Sequence, residues 1–119
     1  MTAGTYNFTV IQGSTLQRHF VWTDSNGDPW DWTGWGVRAQ IRQPTSNSTV
    51  LLDFNTSNGR IVLGGPGIMD WFIGADITAT LSWTKNANWD MEFYSLSDPT
   101  IVDRMLEGTV TLSPEVTRP

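Results

Sequence analysis

Apolar residues recur at every second position over short runs, and each run ends in a glycine-, proline- or asparagine-rich turn after about 8–12 residues. This period fits strands with one buried face. Tyr6, Phe8 and Val10 share one side of residues 5–11, and Gln12-Gly13-Ser14 turns the chain. In residues 16–23, Phe20 and Trp22 point inward and Arg18 sits nearer the wet end. Val37, Ala39 and Ile41 oppose Arg38, Gln40 and Arg42, and Val50, Leu52 and Phe54 form the apolar side of residues 49–55. Shorter strands are expected at 60–63 and 68–73. In 89–96, Trp89, Met91 and Phe93 share a face, and a long strand at 101–112 is expected to kink at Gly108. Asp24-Ser25-Asn26-Gly27-Asp28-Pro29, Ser57-Asn58-Gly59, Gly64-Gly65-Pro66-Gly67 and Ser97-Asp98-Pro99-Thr100 are turns, and residues 44–48 and 85–88 are polar breaks.

Only residues 74–83 carry helical spacing, through Ala75, Ile77 and Leu81. The span is too short and too β-branched for more than one or two turns. About eight strands with turns between them predict an antiparallel sandwich or a small barrel, as one domain over residues 1–119 with short polar arms at 1–5 and 114–119. Those arms are expected to order only against neighbours.

Charge and composition exclude several functions. The net charge is −5, from 7 basic and 12 acidic residues, and the basic residues are scattered. Nucleic acid and an acidic membrane surface are therefore not expected partners. No cysteine is present, so disulfides and thiolate metal sites are ruled out. Neither a signal peptide nor an apolar membrane-spanning run is visible, so synthesis in a cytoplasm is expected.

No catalytic constellation emerges, and no enzyme activity or cofactor is expected. His19 is the single histidine and cannot by itself build a triad or a multi-histidine metal site. Asp53, Asp90, Glu92 and Glu107 are the carboxylates a glycosidase reading would need, but Asp90 and Glu92 fall on the outward side of a strand. Asp24, Asn26 and Asp28 have the spacing of oxygen ligands in a calcium loop, yet the glycine falls at position four and Trp35 at position twelve, so turn chemistry accounts for them better.

The seven tryptophans are the compositional anomaly. Trp22, Trp71 and Trp89 lie on strand faces and are assigned to the core. Trp30, Asp31, Trp32 and Trp35 lie in or beside one loop. Three roles are open to them: anchors in a protein interface, a cap on the end of the sandwich, and a platform for sugar rings, with the interface favoured. The C-terminal tail, with Glu115, Val116 and Arg118, is the second candidate contact.

A family resemblance extends this. Ile11-Gln12-Gly13-Ser14-Thr15, Trp22-Thr23-Asp24, Gly27-Asp28-Pro29, Thr33-Gly34-Trp35, Val37-Arg38-Ala39-Gln40-Ile41-Arg42 and Asn58-Gly59-Arg60-Ile61 occur in an order that resembles small virion proteins of tailed bacteriophages. The stretch Glu107-Gly108-Thr109-Val110-Thr111-Leu112-Ser113-Pro114-Glu115-Val116-Thr117-Arg118 is its most specific part. These proteins are similar to the Ig-like N-terminal domain of baseplate upper proteins. Trp32 departs from the pattern, where a small aliphatic residue is usual. The resemblance implies an all-β, Ig-like antiparallel β-sandwich of seven to nine strands with one short helical turn. It also implies a structural, non-catalytic subunit of the virion, made in the host bacterial cytoplasm, that docks on the tail or baseplate and attaches a neighbour such as a fibre. Its expected partners are other virion proteins, in multiple copies within a symmetric assembly. The alternatives are a carbohydrate-binding module in contact with a host glycan and a head or capsid decoration protein.

Overall fold

The computed structural model describes residues 3–43, 49–84 and 86–117; the predicted loop at 44–48 lies outside the described residues. Most of the alternating runs become strands. The elements are β1 (Gly4–Thr5), β2 (Phe8–Ile11), β3 (Leu16–Val21), β4 (Trp35–Arg42), β5 (Val50–Asn55), β6 (Ile61–Leu63), β7 (Ile68–Ile73), α1 (Ala75–Thr78), β8 (Ala87–Ser95) and β9 (Val102–Ser113). They form two sheets. The larger runs β1–β9–β8–β4–β5, with β2 also on β9, and the smaller runs β3–β7–β6. Two sheets in this order make an Ig-like sandwich. Pairing is antiparallel except at one edge, where β1 and β2 both run parallel to β9.

The core lies between the sheets and its centre is aromatic. Trp71 of β7 is 1% exposed. Its ring lies 4.9 Å from Phe20, 4.9 Å from Phe54, 5.4 Å from Trp89, 5.5 Å from Phe8 and 6.3 Å from Tyr6, centroid to centroid. Most of these pairs are edge-on, the arrangement the ring quadrupole favours, at about 0.5–1.5 kcal/mol each beyond area burial. In a chain without cysteine, this cluster joins the two sheets at the place where many Ig domains carry a disulfide.

Several expectations are corrected in detail. The first strand is broken at Tyr6 and Asn7. The Tyr6 carbonyl accepts the Trp89 indole N–H at 2.7 Å, and the Asn7 side-chain oxygen accepts the Thr109 N–H at 2.9 Å. Gly108 is needed there because a Cβ would collide with the Tyr6 carbonyl oxygen. The irregularity in β9 falls three residues earlier than expected. Met91 pairs with Leu106 but Glu92 with Arg104, leaving Met105 as the extra residue of a bulge, so Met105 and Leu106 are both buried. β8 starts at Ala87, inside the expected polar break, because Ala87 is fully buried opposite Val110. The helix is one turn. Its buried residue is Thr78, whose hydroxyl donates to the Ser14 carbonyl at 2.8 Å and accepts the Gly13 N–H at 3.1 Å.

Among the described residues of the two arms, Gly4, Thr5 and Glu115 already bond within this chain. Gly4 and Thr5 pair with Leu106 and Glu107. The Gln12 side chain donates to the Leu81 carbonyl and accepts the Glu115 N–H, both at 2.8 Å. The open edge of β5 is also partly closed: Asn58 and Arg60 donate to the Asp53 carbonyl at 3.1 and 2.7 Å, and Asn58 accepts the Asn55 N–H at 3.1 Å. Covered groups of this kind discourage edge-to-edge pairing.

Gly67 joins two loops. Its carbonyl accepts the Trp22 N–H at 2.6 Å and its own N–H reaches the Trp30 carbonyl at 2.7 Å. Its φ is +77°, and a Cβ would strike the Trp22 carbonyl oxygen. Gly27 has a similar φ of +85° but faces open space. Gly67→Ala is therefore expected to cost about 3 kcal/mol or more, from strain plus collision, and Gly27→Ala about 1 kcal/mol, from strain alone. Urea midpoints of the two variants measure the difference; equal losses would show that the tether to Trp22 does not matter.

Candidate functional site

The two stretches singled out in the sequence lie at opposite ends of the sandwich. β3 runs from the Gln12–Ser14 turn to Trp22, and β9 runs from the neighbourhood of Ser95 to the neighbourhood of Ile11. The tryptophan loop therefore shares one end with the β6–β7 and β8–β9 turns. Glu115 and Val116 share the other with the β2–β3 turn and the residues after α1.

At the first end, the loop from 22 to 34 folds on itself. Asp24 caps its turn, its Oδ1 accepting the Asn26 and Asp28 N–H groups at 2.9 and 3.0 Å. That carboxylate is aimed at backbone amides, as turn chemistry requires, and no grouping of three or more metal-ligating side chains occurs among the described residues. Trp30 packs on Phe93 at 5.6 Å and on Trp32 at 6.4 Å, and Trp35 packs on Phe93 at 4.9 Å. Trp32 is 7% exposed. Trp30 and Trp35 are half-buried against the core. The indole N–H groups of Trp30 and Trp32 are buried without an acceptor among the described residues.

Trp32 caps the end of the core, which corrects the expectation that its ring faces a partner, while Trp30 and Trp35 pack on Phe93 and stay half-buried. Trp32 is too deeply buried to offer its ring face as a platform for a sugar. Asp31 is exposed, but its Oδ1 accepts the Thr33 N–H at 2.9 Å and so serves the turn. That bond, followed by the one from the Thr33 hydroxyl, holds the Asp31 carboxyl below its ordinary range.

The apolar surface at this end comes from residues the sequence did not mark. Leu96 is 65% exposed and Ile101 45% exposed, both flanking the β8–β9 turn. The turn is held in place. Leu96 N–H donates to the Gly34 carbonyl at 2.9 Å, Ser95 N–H to Ile101 at 3.0 Å and Ile101 N–H to Asp98 at 3.1 Å. Asp98 accepts the Thr100 hydroxyl at 2.7 Å and its N–H at 3.0 Å, which lowers the Asp98 pKa. Beside it, a shallow depression of about 180 Å³ opens between Trp32, Thr33 and the Gly64–Pro66 turn.

At the opposite end, Glu115 is fixed by Gln12, with its carboxylate over Gly13. Val116 is 95% exposed, and Ile11 at the end of β2 is 57% exposed. Arg118 lies outside the described residues.

The outer face of the large sheet collects the carboxylates of the glycosidase reading, and their arrangement is that of a solvated ionic face. β4 presents Arg38 and Gln40 beside Glu92 and Asp90 of β8, which lie beside Arg104 and Glu107 of β9. Arg38 Nε meets Glu92 Oε1 at 2.7 Å and its guanidinium stands 4.8 Å from the Tyr94 ring centre. Arg104 reaches Asp90 at 3.5 Å and Glu107 at 3.7 Å. A broad depression of about 440 Å³ crosses this face. Burial raises the Asp90 pKa; Arg104 opposes the rise, and Glu92 and Glu107 add to it. Asp53 stands apart on β5, in register with Gln40.

Neither the protein-family models nor the curated proteins searched contain a match to this chain.

Trp32→Ala is expected to cost about 3–5 kcal/mol, the range for a buried aromatic, rather than to leave a folded protein with one contact removed; thermal unfolding followed by near-ultraviolet circular dichroism measures it. Asp90 gives the pH prediction. Its folded pKa is raised, so the folded state loses stability as pH rises through the window just above the ordinary aspartate value. Asp90→Asn should stabilise the protein at pH 7 by less than about 1 kcal/mol, since the side chain is 42% exposed and screened. The gain should shrink as the pH falls and vanish at about pH 2.5, well below the ordinary aspartate value, where aspartate is protonated in both states. Urea titrations at the two pH values give the comparison, and a gain that persists in acid would rule out burial of the charge as its cause.

Proposed function

We propose that this chain is a non-catalytic structural subunit of a tailed-bacteriophage particle, docking on the tail or baseplate and attaching a neighbour such as a fibre. The observation that carries this reading is the placement of exposed apolar side chains at two opposite ends of a rigid sandwich, Leu96 and Ile101 at one and Ile11 and Val116 at the other. An adaptor needs two contacts that can be filled at once, and opposite ends avoid a clash between the two partners. The order of motifs along the chain supports the virion assignment.

The mechanism is docking of preformed surfaces. Both ends are fixed by internal hydrogen bonds, Leu96 through Gly34 and the C-terminal segment through Gln12, so little ordering entropy is lost on binding. Each apolar pair is small, and attachment gains strength from many copies in a symmetric particle. The buried ring of Trp32 and the inward packing of Trp30 on Phe93 weigh against the sugar-platform alternative.

Immunogold labelling of purified particles tests the assignment: label at the tail or baseplate is expected, and protein present in lysate but missing from particles would overturn it. Replacing Leu96 and Ile101 with Lys, or Ile11 and Val116 with Lys, is expected to leave the melting temperature within about 2 °C, since these side chains are exposed. Each pair should abolish one attachment and spare the other, read by cross-linking mass spectrometry of assembled particles.

A further inference from the structure

The triplet Ser-Asn-Gly occurs twice, as Ser25-Asn26-Gly27 and as Ser57-Asn58-Gly59. Asparagine followed by glycine is prone to self-modification, because glycine has no side chain to keep its peptide nitrogen away from the asparagine amide carbon. Both triplets are exposed and lie in turns. Both glycines are in the left-handed region, at φ +85° and +78°, and both face open space. Local sequence and exposure therefore make the two sites equal. Hydrogen bonding does not. The Asn58 amide is held on both sides: its Oδ1 accepts the Asn55 and Arg60 N–H groups and its Nδ2 donates to the Asp53 carbonyl, all at 3.1 Å. The Asn26 amide has no partner among the described residues. Asp24 builds the turn around it, accepting the Asn26 and Asp28 N–H groups on its carboxylate and the Gly27 N–H on its carbonyl at 3.0 Å.

We infer that Asn26 is a site of spontaneous deamidation and that the fold protects Asn58. The Gly27 N–H leaves the Asp24 carbonyl and gives its proton to a base in solvent, and the nitrogen attacks Cγ of Asn26. The Cγ–Nδ2 bond breaks, ammonia departs with a proton from solvent, and a five-membered succinimide remains. Water then opens the ring, at Cγ to give aspartate or at the backbone carbonyl to give isoaspartate. In sum one water is consumed and one ammonia released, with no change of oxidation state. At Asn26 the attack needs one exposed backbone bond to open. At Asn58 three bonds to the side-chain amide must break before Cγ can turn toward the Gly59 nitrogen. Either product places a third carboxylate between Asp24 and Asp28. Isoaspartate also lengthens the main chain by one carbon, which moves the following N–H groups out of register with Asp24. The modification loosens the tip of the loop that carries Trp30 and Trp32, and it stands whether or not the chain is a virion subunit.

Ageing of the whole folded chain in mildly alkaline buffer, followed by tryptic peptide mass spectrometry, tests the inference. Asn26 falls in peptide 19–38, where it is the only side-chain amide, and Asn58 falls in peptide 43–60, where fragment ions separate it from the other amides. Asn26 is expected to gain one mass unit roughly tenfold faster than Asn58, or more. Asn26→Gln should abolish the gain in peptide 19–38 and leave the melting temperature within about 2 °C, since the side chain is exposed and unbonded. In the urea-unfolded chain the two rates should converge to within about twofold, because the triplets are identical and the bonds around Asn58 are gone. Equal rates in the folded chain, or a faster Asn58, would overturn the inference. So would a preference for Asn26 that survives in urea, since the fold would then not be its cause.

Discussion

The contact of Trp71 with both sheets is the interaction the rest of the structure depends on. Trp71 belongs to the small sheet, yet Phe54, Trp89 and Phe8, three of its five ring neighbours, belong to the large one. No disulfide joins the sheets in a chain without cysteine, so dispersion and burial of this cluster set their separation. The cost is visible in the same residue: the Trp71 indole N–H is buried without an acceptor among the described residues, an arrangement that survives only where packing around the ring outweighs the lost hydrogen bond. Trp89, by contrast, directs its N–H to Tyr6, and that bond bends the N-terminal segment between β1 and β2.

From this centre the two ends are organised by different means. At one end, aromatic rings close the core and a glycine without room for a side chain connects the loops. At the other, polar side chains do the closing: Thr78 and Gln12 reach across the β2–β3 turn, the segment after α1 and the C-terminal segment. Side-chain to backbone bonds of this sort fix loops without enlarging the core. They leave Val116 and Ile11 projecting because the bonds hold the backbone, not those side chains.

Most of the fold was legible because a half-buried strand writes its two faces directly into the sequence. The β4 pattern, with Val37, Ala39 and Ile41 against Arg38, Gln40 and Arg42, reappears as three buried positions alternating with exposed and half-exposed ones. What escaped was long-range. The bulge at Met105 had a local sign, two adjacent apolar residues between Arg104 and Glu107, but placing it needs the partner strand. The parallel pairing of β1 and β2 with β9 depends on contacts about a hundred residues apart, which periodicity cannot report. The candidate site was legible only in part: the two stretches the sequence singles out fall at the two ends of the sandwich, but Leu96 and Ile101 flank a polar turn and look like ordinary strand ends.

The tryptophan loop shows why aromatic density alone misdirects. Trp30 and Trp32 alternate with Asp31 and Thr33, and the structure obeys that alternation: the acidic and hydroxyl residues are outside and the indoles turn in. Tryptophan enrichment marks interfaces because large rings gain most from burial, and the same gain is available within the chain wherever a core end lies open. Between two ways of burying a ring, the intramolecular one loses no translational freedom, so a loop long enough to fold back takes it. The apolar surface that remains comes from side chains that the fold cannot reach. Leu96 and Ile101 are kept outward by the hydrogen bonds of their own turn, and Val21, Val62 and Phe72 by strand geometry that points every second residue away from the core.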